Sequence, residues 1–526
     1  MKKVFKSLYL ISSFSLIFSS CSNNESSSIS SEESSSVIVS SSEKKENTIT
    51  INDNDGSGTV RSIKVIEGEE YQIAFPQNLN VNDHTFLGYQ YNNAYFPSFG
   101  IWDPTLGDIT INGTYGKSKN IEFSFTSSID NSKELDFSFL YNPMAFISHF
   151  SSFNNDLACL SLMEAIHSVD ETEIKELYDE LGFYNVLTYN YDKNEADNVA
   201  FTIGEKVVID KTIISLSIRS GNYGLEWSNN FKMGATGDHL GFKESAEKII
   251  TSLSSYLVDH SLSYENIYLF VNGYSRGAGI ANILGYKLVK DNYIDNAHIN
   301  VYDWEAPAPI DNFSLVAVDN IYNLYNSSDI VTAIPPLEYG LARAGEDINI
   351  YSDNVEELIK QEFNLTLPEL GATYNTDQEV LDYVIEQLLV VDLESEYHDI
   401  STRYNFASYY QDSIRHTLEI FGALDDNMIK VISNKYDRLS EGDKSALLEE
   451  DDKLYLFLSP ILDNFSIEYD KLTLKNDLNN ILHLSKTSGV ANLKLFITIG
   501  SINLSRMIDM HLLEVNYVLF KNYIGE

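Results

Sequence analysis

Ile267-Tyr268-Leu269-Phe270-Val271-Asn272-Gly273-Tyr274-Ser275-Arg276-Gly277-Ala278-Gly279-Ile280-Ala281-Asn282-Ile283-Leu284 is the stretch that decides the fold. Its first five residues form an unbroken apolar run, as expected of a strand buried on both faces. The last nine mix small and apolar residues, as expected of a helix lying close against that strand. Between them stands Gly273-Tyr274-Ser275-Arg276-Gly277. A chain that passes from strand to helix in so few residues is strained. Side chains two before and two after the serine would strike the neighbouring strand and helix, so Gly273 and Gly277 are both required. The bend holds the Ser275 hydroxyl at the carboxyl end of the sheet, and the helix N-terminus behind it favours developing negative charge.

A strand, a Gly-x-Ser-x-Gly turn and a helix resemble the nucleophile elbow of an α/β-hydrolase. The surrounding pattern agrees. Thr212 to Ile218, Ile299 to Tyr302 and Ile321 to Tyr325 read as core strands, and Phe242 to His260 reads as an amphipathic helix through Ala246, Ile249, Ile250, Leu253 and Leu257. Val199 to Ile203 and Lys206 to Asp210 read as a hairpin turning at Gly204. The expected class is α/β, with a mostly parallel sheet covered on both faces.

A serine hydroxyl becomes a useful nucleophile only when a base takes its proton and an acid orients that base. In α/β-hydrolases the chain order is Ser, then Asp or Glu, then His. Asp329 follows the apolar strand ending at Tyr325, and Ile330 to Pro336 cannot continue that strand. Asp303, also near a strand end, is its rival.

Four segments carry a closer likeness. They are Ile218-Arg219-Ser220-Gly221 through Trp227, Asp238-His239-Leu240-Gly241-Phe242, the elbow itself, and Ser328-Asp329-Ile330-Val331 through Pro335-Pro336 to Gly345-Glu346. Together they resemble the class-3, or fungal-lipase-like, lipases over roughly residues 130–350. The resemblance favours Asp329 over Asp303. It implies an oxyanion hole from the backbone N–H groups of Gly221 and Arg276, although many relatives carry Ser or Thr where Gly221 stands. His239 precedes the elbow and reads as structural. Four histidines follow Asp329: His398, His416, His483 and His511. Ile508 to Tyr517 resembles a base-bearing C-terminal segment of bacterial relatives, which favours His511, with His398 and His416 as alternatives. Residues 350–500 read as a helical insertion capping the acyl pocket, within a hydrolase domain of residues 120–526.

The chain has 526 residues and a net charge of −41, with 43% hydrophobic residues. That is ample for a large core. A chain so acidic lacks the basic surface for nucleic acid and gains nothing from anionic lipid headgroups. The cysteines, Cys21 and Cys159, offer no disulfide framework. Lys2, Lys3 and Lys6 precede a short apolar core, Leu8 to Phe18, and then Ser19-Ser20-Cys21. This resembles a bacterial lipoprotein signal over residues 1–20, lipidated at Cys21, and implies export and anchoring to the outer face of the membrane. Residues 21–47 are a Ser-rich tether. Residues 48–116 alternate short strands and turns around Trp102 and resemble the Listeria–Bacteroides repeat, a small β-grasp-like surface module that would meet a cell-surface partner.

The expected activity is cleavage of lipid carboxylic esters through an acyl-enzyme on Ser275. The alternatives are a phospholipid acylhydrolase, a carboxylesterase of soluble esters, and a non-catalytic surface adhesin. No metal or organic cofactor is implied.

Overall fold

The computed structural model describes residues 44–487 and 510–525, except 82–83, 93, 117–118, 131, 149–152, 194, 196, 209–210, 221–225, 227–228, 231, 334, 336–338, 368–410 and 423–425. Cys21, Gly221 and His398 therefore lie outside the described residues.

The first unit is a mixed sheet. Its long strands are β1 (Glu46–Asn52), β2 (Val60–Ile66), β3 (His84–Tyr91) and β4 (Ile109–Gly116), in the order β2-β1-β4-β3. β1 and β4 run parallel, and the other pairs are antiparallel. Ile49, Ile51, Tyr89, Trp102 and Ile111 fill its core. A buried Asp53 carboxylate receives two guanidinium bonds from Arg61, each 2.6 Å, and one from the Tyr89 hydroxyl at 2.9 Å. A hairpin of β5 (Lys119–Thr126) and β6 (Glu134–Tyr141) follows.

Seven strands make the second sheet: β7 (Tyr184–Tyr189), β8 (Phe201–Val208), β9 (Lys211–Ile218), β10 (Ile267–Tyr274), β11 (Ile299–Trp304), β12 (Ile321–Tyr325) and β13 (Glu346–Asn349). They lie side by side in chain order. β7 to β9 are antiparallel, and β9 to β13 are parallel. Alternate side chains feed two separate cores. Leu269, Val271, Val301 and Ile321 pack against α3 (Leu240–Asp259) and α4 (Arg276–Lys290). Phe270, Tyr274, Tyr302 and Trp304 pack on the other face, against α1 (Asn155–His167) and α11 (Leu513–Ile524). Helices on both faces explain why these strands read as continuous apolar runs.

The expected hairpin at Gly204 is not formed. Gly204 lies within β8, one continuous strand. A Cβ there would stand 2.6 Å from the Tyr178 ring on α2 (Glu171–Leu181), so the glycine makes room for a neighbour and does not turn the chain.

Between β13 and α11 the described chain is helical: α5 (Val355–Phe363), then α6 (Gln411–Gly422), α7 (Asp426–Asp437), α8 (Glu441–Glu449), α9 (Lys453–Asn464) and α10 (Lys471–Thr487). Helices α8 to α10 build a small core of their own from Leu447, Phe457, Leu458, Leu462, Leu474 and Leu478. This bundle meets the loops of the seven-stranded sheet where Gly234 N–H donates to Gln411 Oε1 at 2.9 Å and Arg415 lies 3.5 Å from Asp197. No helix among the described residues is long and apolar enough to cross a membrane.

Candidate active site

Ser275 sits between the end of β10 and the start of α4 with φ +57°, a conformation that costs a non-glycine residue of order 1 kcal/mol or more. Its amide is held by the Trp304 carbonyl of β11 at 2.8 Å, and its own carbonyl accepts from Gly279 N–H at 3.0 Å. Both elbow glycines are sterically compulsory. A Cβ on Gly273 would overlap the Gly277 carbonyl, and one on Gly277 would stand 2.6 Å from the Ile218 carbonyl of β9. The serine is 8% exposed, at the positive end of a fifteen-residue helix.

Asp329 follows β12 on a tight turn. Its amide donates to the Asn326 carbonyl at 2.8 Å, and its Oδ1 accepts from Val331 N–H at 2.9 Å. It is fully buried. Its Oδ2 lies 2.5 Å from Nδ1 of His511, itself nearly buried. A carboxylate can only accept, so Nδ1 carries the proton and Nε2 presents its lone pair. The structure thus joins two of the three residues proposed from sequence, 182 positions apart.

His511 is also fastened to the elbow. The Tyr274 hydroxyl donates to the His511 carbonyl at 2.8 Å and accepts from Asn516 Nδ2 at 2.6 Å. The Tyr274 and His511 rings are 5.2 Å apart. Farther along α11, Glu514 accepts from Ser128 N–H at 2.8 Å, Ile129 N–H at 3.2 Å and Ser127 Oγ at 3.2 Å, which moors this helix to the loop after β5. His511 Nε2 is buried and makes no hydrogen bond to any described residue, so its link to the Ser275 hydroxyl is open here. Such links commonly tighten only when substrate is bound.

The rivals are elsewhere. Asp303 is buried within β11 and accepts from Asn282 Nδ2 of α4 at 3.0 Å, and burial pushes its carboxyl well above the usual range. His416 belongs to the helical bundle, where Nδ1 meets Asp477 at 3.2 Å. His239 caps α3: Nδ1 accepts from Phe242 N–H at 3.4 Å and Nε2 donates to the Asn230 carbonyl at 2.9 Å. That is the structural role expected of it.

Arg276, the second expected oxyanion donor, begins α4 with a buried side chain. Its guanidinium donates to the Asn198 carbonyl at 2.9 Å and lies 3.9 Å from Glu226. Glu226 in turn accepts from Arg219 at 2.7 Å and from Asn198 Nδ2 at 2.5 Å. Burial raises the Glu226 carboxyl, against the pull of the two guanidiniums. The long side chain thus anchors the residue whose amide adjoins the serine. Among the described residues no cluster of His, Cys, Asp or Glu is suited to hold a metal ion.

Sequence reasoning missed three contributors. The Tyr274 hydroxyl and Asn516 hold His511 at the elbow, and Glu305 lies against Asp329. Only Glu305 left a local signal, a second carboxyl two residues after Asp303 at the end of the strand closing at Trp304.

Residues 216–339 match the family model of lipase (class 3). The matched stretch takes in the elbow and Asp329 and leaves His511 outside it. Solved structures similar to this chain include the triacylglyceride lipase of Rhizomucor miehei, 17% identical over 37% of this chain and 79% of that one, TM-score 0.30. The lipase of Rhizopus microsporus var. chinensis is 13% identical over 38% and 75%, TM-score 0.28. The Lip2 lipase of Yarrowia lipolytica is 15% identical over 37% and 77%, TM-score 0.27. No curated protein matches the chain. Residues 216–339 are thus similar to the class-3 lipases, and the elbow stands on a mostly parallel sheet, the arrangement of an α/β-hydrolase.

Proposed function

We propose that this chain is a serine hydrolase of lipid carboxylic esters. The observation that carries the reading is the buried Asp329–His511 pair, 2.5 Å apart and tied to the elbow through Tyr274. Ser275 Oγ attacks the ester carbonyl while His511 Nε2 takes its proton. Asp329 holds the imidazole in the tautomer that leaves Nε2 free to do so. The amides of Gly221 and Arg276 receive the negative charge of the tetrahedral intermediate, which then collapses as His511 returns the proton to the leaving alcohol. Water, deprotonated by the same imidazole, releases the acid and restores Ser275. Acylglycerols are the favoured substrates, in keeping with the lipase family match.

Export and lipidation at Cys21 would place the enzyme on the outer face of a bacterial membrane, on a tether of residues 21–47. The β-grasp-like unit of residues 48–116 would act as spacer or as a contact to the cell surface.

A fluorophosphonate probe tests the chemistry. The folded protein should be labelled on Ser275, and Ser275→Ala should abolish both labelling and ester turnover. A folded wild-type chain that takes no label overturns the reading in favour of a surface-binding protein. Turnover of acylglycerol emulsions, phospholipid vesicles and short soluble esters then ranks the substrate classes.

A further inference from the structure

Glu305 is the first residue after β11, and nothing in the mechanism above uses it. It is fully buried and holds φ +52°, a conformation glycine adopts freely and glutamate does not. Its amide donates to the Leu324 carbonyl of β12 at 2.9 Å. Its carboxyl oxygens accept from Asn326 N–H at 3.0 and 3.2 Å, and the Asn326 carbonyl accepts from the Asp329 amide. Glu305 thereby braces the turn that carries Asp329, and its carboxyl interacts with that of Asp329.

Two carboxyls sealed together cannot both be charged without a compensating cation. His511 faces Asp329 through Nδ1. Arg343 acts on Glu305 only through space, because its guanidinium is bonded to Asp347 at 2.8 and 3.1 Å and to the carbonyls of Ala306 and Thr332. Tyr325, the other titratable neighbour, carries no positive charge. One proton must therefore stay on the carboxyl pair. Asp329 already accepts from Val331 N–H and His511 Nδ1–H. Glu305 has a single backbone donor, Asn326 N–H.

We propose that Glu305 is a positioning residue: as the neutral acid it donates its O–H to Asp329, and so fixes that carboxylate as the charged partner of His511. This rests on the hydrolase reading above. Burial and the neighbouring Asp329 charge both push the Glu305 carboxyl well above its ordinary range, in the same direction.

Two variants of the full chain test this. Glu305→Gln keeps an acceptor for Asn326 N–H and offers an N–H to Asp329. Glu305→Gly removes the side chain while easing the positive φ. The Gln variant should keep kcat/KM within about threefold of wild type at neutral pH, whereas Gly should lower kcat about 10- to 100-fold with KM unchanged, the scale of one lost hydrogen bond to a charged group. Loss of the donor leaves Asp329 a stronger partner for the imidazolium, so the acid limb of the Gly profile should move to higher pH. The alkaline limb set by ionisation of Glu305 should vanish in Gln. At neutral pH the infrared difference between wild type and Glu305→Gln, and between Ser275→Ala and Ser275→Ala/Glu305→Gln, should show one protonated-carboxyl band, because the buried Asp303 and Glu164 contribute equally to both members of each pair. The proposal is overturned if a folded Gln variant falls as low as Gly, if Gly keeps wild-type kcat and pH profile, or if the infrared difference shows no such band. That band reads Glu305 whether or not esters are cleaved, whereas failure of Ser275→Ala to lower turnover would sink the hydrolase reading instead.

Discussion

Glu164, under the elbow strand, and Asp329, at the end of the sheet, are both sealed from water, yet their surroundings differ in kind. Glu164 on α1 is surrounded by neutral donors: Ser215 Oγ at 2.8 and 3.0 Å, Asn272 Nδ2 at 2.6 Å and the Tyr178 hydroxyl at 3.1 Å. Burial outweighs those bonds and lifts its carboxyl to about 7. Asp329 has an imidazole as partner and a second acid beside it. Burial alone does not make a carboxyl useful to catalysis. What matters is whether the groups around it aim it at a base, as the 2.5 Å contact to His511 aims Asp329.

The hardest blow to this contrast is Asp329→Asn. An amide in place of the carboxylate would hold His511 in the wrong tautomer, and kcat should fall about 10⁴-fold with the fold intact. Near-normal turnover in that variant would erase the distinction between the two sites. Tyr274→Phe sharpens it. Losing the hydroxyl unpairs the His511 carbonyl and leaves Asn516 bonded only to the Met510 and Leu512 carbonyls, and kcat should drop about tenfold with little change in KM, the scale of a neutral hydrogen bond. An unchanged kcat would mean that His511 is held without the elbow's help.

Glu164→Gln should change turnover least, by less than a few fold, and show itself in stability. A carboxyl raised from 4.5 to about 7 favours the folded state fully below pH 4.5 and loses that contribution as pH climbs to 7. Denaturant titrations should therefore show the Gln variant gaining on wild type across that window, by up to about 3 kcal/mol, and holding a constant lead above it. Equal pH dependence in the two proteins would show that Glu164 ionises freely in the fold.

What could be read in the linear chain follows from how far each contact reaches along it. The elbow is local: strand, two obligatory glycines and helix occupy adjacent positions, so Ser275, Gly273 and Gly277 declared themselves. Asp329 follows an apolar strand, but so nearly does Asp303, and the choice between them came from the family resemblance of the segment running on to Pro335-Pro336. His511 needed a resemblance, since its partner is 182 residues upstream and nothing in the periodicity links them. Gly204 misled because a glycine that accommodates the Tyr178 ring is written the same way as one that turns the chain. Glu305 acts on groups that β11–β12 pairing brings near, and the Tyr274 hydroxyl on groups brought near by docking of α11, so neither could be assigned a role beforehand.

The bond from Tyr274 to the backbone of His511 spans 237 positions. Closures of that length form late during folding. A nascent chain emerging from the ribosome would thus expose its alcohol long before His511 had been made. If the chain cleaves esters as proposed, this delay would keep it inert toward the lipids of its own producer until the distal segment had been made and had docked.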